Sequence, residues 1–220
     1  VTYKTGTKSL EALIEEKEKK LAEIEEDIEK NYKILVTIRK ITLDLKLRSF
    51  HVIKAPSNYY QLTLEDRRDI LNAPTTEYLC KSLVMENTAF LPEFESKFYR
   101  KYYCICLQYV TKLNSEKIGK FLRDYQNQNC ENKLGKKAFN TRMLNEKESC
   151  DMTGYDHNEV TPYGMKTNFP IILSDRIAKL VPEFFYLGAG AVDLKLRVSI
   201  DEFINKSGFE VLVGNIVYDQ

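Results

Sequence analysis

A lysine, a loop rich in glycine and proline, and a second glycine turn are the parts of this sequence best suited to chemistry. The loop reads Met152-Thr-Gly-Tyr-Asp-His-Asn-Glu-Val-Thr-Pro-Tyr-Gly-Met165. Gly154, Asn158, Pro162 and Gly164 give it a shaped backbone with few rotatable options, which leaves several N–H groups free to point at a ligand. The lysine is Lys81, within Tyr78-Leu-Cys-Lys-Ser-Leu-Val-Met-Glu86, whose apolar content predicts a buried strand. Strand periodicity puts Lys81 on the face of Leu79, Leu83 and Met85, where an ammonium must reach solvent along its stem or meet an anion. The second turn, Gly188-Ala-Gly-Ala-Val-Asp193, follows a predicted strand and lets backbone come close to a ligand or to another strand. Such parts can hold a carbonyl and an anionic group while water does the chemistry.

Other chemistries find little support. The only histidines are His51 and His157, and no GxSxG elbow surrounds a serine, so nucleophilic triads and histidine metal sites are disfavoured. Neither GxxxxGK[ST] nor GxGxxG occurs, so no nucleotide cofactor is predicted, and no metal site either. Five cysteines, Cys80, Cys104, Cys106, Cys130 and Cys150, include no CxxC pair, which predicts reduced thiols in a cytoplasmic protein. Cys104 and Cys106 share one face of a strand, as small buried residues do. With a net charge of +1 and 30% charged residues, the chain is not a globally basic nucleic-acid binder. Lys133, Lys136, Lys137 and Arg142 form its best basic cluster in the globular part. No apolar run reaches the ~18 residues of a membrane span, and the N-terminus carries no signal-peptide pattern, so a soluble protein with no membrane partner is expected.

The elements that must position these residues divide into an appendage and a globular part. A chain of 220 residues, 43% hydrophobic, supports one core with length to spare. From Ser9 to about Leu47 the spacing of Leu10, Ile14, Leu21, Ile24, Ile28, Leu35 and Ile38 predicts a long helix with a heptad seam, interrupted by Lys17 and Asn31. Glu15–Lys19, Glu16–Lys20, Glu26–Lys30 and Glu29–Lys33 are its i,i+4 pairs. Residues 1–48 are therefore assigned to a helical or coiled-coil extension and residues 49–220 to the globular domain. The helix either folds back on that domain or pairs with another chain. In the globular part, strands are predicted at Phe50–Ile53, Tyr78–Glu86, Tyr102–Val110, Phe169–Leu173, Phe184–Leu187, Leu194–Val198 and Val211–Val217. Helices follow caps at Thr63, at Asn114 or Ser115, at Ser174 and at Ser199.

At this point the residues resemble a family. Cys80-Lys-Ser-Leu-Val-Met, the loop from Thr153 to Met165, Ile171-Ile-Leu-Ser with its following helix, and Gly188-Ala-Gly-Ala-Val-Asp-Leu-Lys, in that order, resemble the YbaK/prolyl-tRNA-synthetase-associated editing domain in its eukaryotic version. The resemblance spans about residues 50–210 and leaves the N-terminal helix outside it. It implies a mixed α/β (α+β) fold, a barrel-like mixed β-sheet with flanking helices, and an aminoacyl-tRNA deacylase that hydrolyses mischarged tRNA, commonly alanyl- or cysteinyl-tRNA for proline. Lys81 matches the family's essential strand lysine. Gly154 and Asn158-Glu-Val-Thr-Pro162, that is Asn158, Glu159, Val160, Thr161 and Pro162, match its substrate loop, and Gly188, Ala189, Gly190 and Asp193 the second pocket wall. Lys133, Lys136, Lys137 and Arg142 become weak candidates for tRNA contact. The implied partners are aminoacyl-tRNA and a synthetase or multi-synthetase assembly, with self-association through residues 9–47. Asn158 stands where the family has glycine, and Glu159 where a second glycine is frequent; side chains there are expected to narrow or polarise the pocket. Asn is the non-glycine residue most tolerant of positive φ, so the loop keeps its shape. A non-catalytic module that binds tRNA or a synthetase is the alternative reading.

Overall fold

The computed structural model describes residues 10–219. The predicted helix start at Ser9, and the parts of the two predicted segments that fall on residues 1–9 and on Gln220, lie outside the described residues.

Helix α1 runs over Leu10–Asp44, 35 residues, or about 52 Å. The Glu16–Lys20 and Glu29–Lys33 pairs form at 3.0 and 2.8 Å. Among the described residues α1 packs on the globular part from Lys30 onward, through Lys30, Asn31, Ile34, Ile38 and Ile41. Before that point the apolar seam is open to solvent: Leu21 is 57% and Ile28 64% exposed. The seam thus folds back on the protein's own core at Ile38, while from Leu10 to Ile28 its apolar residues are exposed.

Beyond α1 follow β1 (His51–Lys54), α2 (Leu64–Leu71), β2 (Cys80–Asn87), β3 (Tyr102–Gln108), α3 (Ser115–Asn129), β4 (Thr141–Met143) and α4 (Glu146–Thr153). The chain ends with β5 (Ile171–Ser174), α5 (Asp175–Ala178), β6 (Phe184–Gly188), β7 (Leu194–Ser199), α6 (Ile200–Asn205) and β8 (Val211–Gly214). Thr63 and Asp66 close a reciprocal capping box on α2, and Asn114, Ser174 and Ser199 cap α3, α5 and α6. Neither α4 nor β4 was expected, although Asn145 and Glu148 make the same reciprocal box at the start of α4.

The strands form two sheets, β4-β2-β3-β5-β8 and β1-β7-β6. In the first, β4, β2 and β3 are antiparallel, while β3, β5 and β8 run parallel. Alternation along β3 sends Cys104 and Cys106 into the core shared by the sheets, and Tyr103, Ile105 and Leu107 into a second core under α3. Both cysteines are buried, free thiols. The expected barrel-like sheet is instead a pair of open sheets, because among the described residues β6 and the chain entering β2 are joined by a single isolated parallel bridge, from Leu79 to Tyr186. No helix among the described residues is long and apolar enough to cross a membrane.

Candidate active site

The bridge between the sheets positions the site. Two residues beyond Leu79 stands Lys81, and two beyond Tyr186 stands Gly188; both line one cavity of about 520 Å³. Its other walls come from Tyr60 and Tyr109, from the β4–α4 connection at Leu144 and Asn145, and from the loop residues Tyr155 to Asn158 and Val160. Its volume is that of a small-molecule pocket.

Lys81 is half-buried, with its ammonium 5.4 Å from the Tyr109 ring centre. Among the described residues no carboxylate pairs with it, and burial lowers its pKa. An ammonium with an aromatic face behind it and a cavity before it is a receptor for an anionic group.

Facing it, the loop is held at several points. Gly154 ends α4 in the left-handed region at φ 80°, and the Tyr155 hydroxyl donates to the Tyr163 carbonyl at 2.6 Å. Asn158 adopts φ 66°, the positive angle for which Asn was the best non-glycine choice. Its carbonyl accepts a hydrogen bond from the Tyr60 hydroxyl at 2.8 Å. The Val160 and Thr161 N–H groups find no hydrogen-bond acceptor among the described residues. Gly188 lets the loop backbone come close, since a Cβ there would lie 3.3 Å from the Val160 carbonyl oxygen.

Of the residues picked from the sequence, Lys81, Asn158, Val160 and Gly188 share the cavity wall. The others stand behind it. Glu159 is 7% exposed and turns to helix α1, where the Lys30 ammonium donates to its two oxygens at 2.9 and 3.0 Å. Lys30 also reaches Asp156 at 3.4 Å; burial alone would lower its pKa, but these carboxylates raise it. Asn158 alone of the departing pair thus lines the cavity. Thr161 and Pro162 are buried beneath the loop. Ala189 and Gly190 are buried in the second turn, and Asp193 is ion-paired with Lys54.

The basic cluster is partly committed to structure. Lys133 donates to the carbonyls of Asn127 and Cys130 at the end of α3. Arg142 is engaged by Glu148 and Glu86 at 2.9 and 2.6 Å. Lys137 is exposed, and Lys136 lines a separate cavity of about 410 Å³ with Lys120 and Arg123.

Three groups were not picked out from the sequence. Tyr60 holds Asn158. Lys195 holds Tyr60, donating to its hydroxyl at 3.1 Å. His157 Nδ1 lies 2.8 Å from Glu146 at the cavity rim. The strand alternation of Leu194, Leu196 and Val198 was readable, but that Tyr59 and Tyr60 cover Lys195 on the opposite face is a tertiary fact.

No protein-family model matches the sequence, and no curated protein matches it. Solved structures do. The crystal structure of the hypothetical protein APE2540 is similar with a TM-score of 0.61 at 14% identity, over 83% of this chain and 99% of that one. A candidate trans-editing enzyme for prolyl tRNA synthetase matches with a TM-score of 0.57 at 16% identity, over 77% of this chain and 87% of that one. A computationally designed scaffold for presenting linear epitopes matches with a TM-score of 0.58 at 15% identity, over 84% and 98%. At these identities the likeness is one of fold: this chain has the mixed α+β architecture of a candidate trans-editing enzyme.

Proposed function

We propose that this protein is an aminoacyl-tRNA deacylase that removes the amino acid from mischarged tRNA. The carrying observation is that Lys81 and Val160 line one cavity, with neither the Lys81 ammonium paired to a carboxylate nor the Val160 N–H hydrogen-bonded among the described residues. The fold shared with a candidate trans-editing enzyme supports it.

In this reading the loop N–H groups polarise the ester carbonyl, and water adds to the carbonyl carbon with help from the terminal adenosine's own 2′-hydroxyl. The ester C–O bond then breaks, the ribose oxygen takes a proton and the amino acid leaves as its acid. Lys81 binds the phosphate at the 3′-end or stabilises developing negative charge. No side chain acts as nucleophile.

The test is incubation of the protein with alanyl- and cysteinyl-tRNA for proline, following ester loss against the spontaneous rate. Loss of ester above that rate supports the reading. Tight tRNA binding without ester loss would replace it with a non-catalytic module that holds tRNA or a synthetase.

The exposed seam of α1 is where we place a second copy of this chain. In a parallel two-stranded pairing, Lys20 of each copy faces Glu25 of the other across the seam, and no like charges meet at the flanking positions.

A further inference from the structure

Lys195, on β7, is 3% exposed, and among the described residues no carboxylate accepts a hydrogen bond from it. Its ammonium lies 4.4 and 4.3 Å from the ring centres of Tyr59 and Tyr60. It donates to the Val192 carbonyl at 2.8 Å and to the Tyr60 hydroxyl at 3.1 Å, and that hydroxyl donates onward to the Asn158 carbonyl at 2.8 Å. A buried cation without a carboxylate is expensive, and an apolar side chain of similar volume would fill the place at lower cost. Yet this cation sits at the end of a continuous hydrogen-bonded chain that stops at Asn158, the non-glycine residue with positive φ in the loop.

We propose that Lys195 is a positioning residue: through the Tyr60 hydroxyl it fixes the turn at Asn158, and so aims the Val160 and Thr161 N–H groups. Its bearing on rate rests on the deacylase reading above; its bearing on loop order does not. The charged ammonium polarises the Tyr60 hydroxyl and strengthens the bond that it donates, as linked hydrogen bonds do. Burial, and secondarily Arg67, lower the Lys195 pKa to about 7. The groups that face it are Tyr59 and Tyr60, Arg67 of α2, Cys80 of β2, Tyr109 and Tyr186, with Asp193 and Glu159 favouring its charged form. The charged form is lost as pH rises through about 7, and the hold on Asn158 weakens with it.

The test compares wild type with Lys195→Met and Tyr60→Phe. Backbone amide relaxation at Asn158 to Thr161 is measured by NMR from pH 6 to 8, beside kcat and KM for ester hydrolysis. Both variants are expected to raise loop mobility and to lower kcat by about tenfold to a hundredfold with little change in KM, the cost of a misaimed donor. Lys195→Met also abolishes the pH dependence of loop order while melting no lower than wild type, a combination that a merely structural lysine would not give. Unchanged loop amides in both variants overturn the proposal. Tyr60→Phe keeps the ring and decides the matter if Lys195→Met fails to fold. Should wild type hydrolyse no aminoacyl ester, the deacylase reading falls, and the relaxation data still decide this one.

Discussion

Lys30 of the N-terminal helix and Glu159 of the loop, 129 residues apart in sequence, are ion-paired at 2.9 Å. The carboxylate side chain is 9% exposed and the lysine side chain 41%. The appendage is therefore joined to the loop that lines the cavity, and the boundary expected at residue 48 is crossed by packing as well, through Ile34, Ile38 and Ile41. Lys30→Met leaves a buried carboxylate without its cation and is expected to cost about 1–3 kcal/mol, toward the lower end because Lys30 is open to solvent. Lys30→Met combined with Glu159→Gln should recover most of the loss. Urea unfolding of the variants checks both values.

How much of this was legible follows from where each signal resides. The long helix and the helix starts near Thr63, Asn114, Ser174 and Ser199 came from local spacing, whereas the pairing of Lys81 with the loop, which the shared cavity bears out, came from the family resemblance. Helix α4 carried a readable signature in Asn145-x-x-Glu148, but its eight residues are too short and polar to show a helical apolar stripe. The destination of Glu159 was not legible, because Lys30 had a satisfactory local partner in Glu26 and only the tertiary docking of α1 redirects it. Lys195 ends the second glycine motif, but nothing local shows that Tyr59 and Tyr60 close over it.

Among the described residues Lys81 has no anionic partner to lose, so its replacement is expected to spare the fold. Lys81→Ala is expected to lower deacylation by about 10²–10³, the usual cost of one group that stabilises developing charge. Its unfolding midpoint should stay at or above the wild-type value, because a partly desolvated ammonium has been removed. Near-normal hydrolysis by a folded Lys81→Ala protein would remove this lysine from the mechanism.

At Asn158 the backbone angle decides what is tolerated. Asn158→Gly keeps φ 66° without penalty and should retain both stability and activity. Asn158→Val places a β-branched side chain in the left-handed region, at about 1–2 kcal/mol, and should lower hydrolysis as the Val160 and Thr161 N–H groups shift. Thermal melts and steady-state kinetics on the two variants separate backbone conformation from side-chain chemistry.

The depressed lysines also fix a pH dependence of stability. Lys195 titrates at about 7 in the folded protein, against ~10.4 when unfolded. Between these values the unfolded chain binds a proton that the folded chain does not, so stability rises with pH across that window. Lys81, also lowered by burial, adds in the same direction. Urea unfolding at intervals from pH 6.5 to 9.5 should show the rise, and Lys195→Met should flatten most of it.

The open seam of α1 makes the last prediction. In a parallel pair Lys17 occupies a core position of the heptad and meets its own copy, which weakens the association that the spacing of Ile14, Leu21, Ile24 and Ile28 would otherwise favour. Lys17→Leu is therefore expected to tighten self-association, and Leu21→Glu to abolish it. Both positions lie in the solvent-exposed part of the helix, so neither change should alter the stability of the globular part. Deleting residues 1–28 should likewise give a folded monomer, since Lys30, Ile34 and Ile38 remain to pack. Sedimentation equilibrium over a range of concentrations measures all four proteins, wild type included. A wild type and a Lys17→Leu variant that both stay monomeric at the highest concentration would mean that the seam receives a different helix.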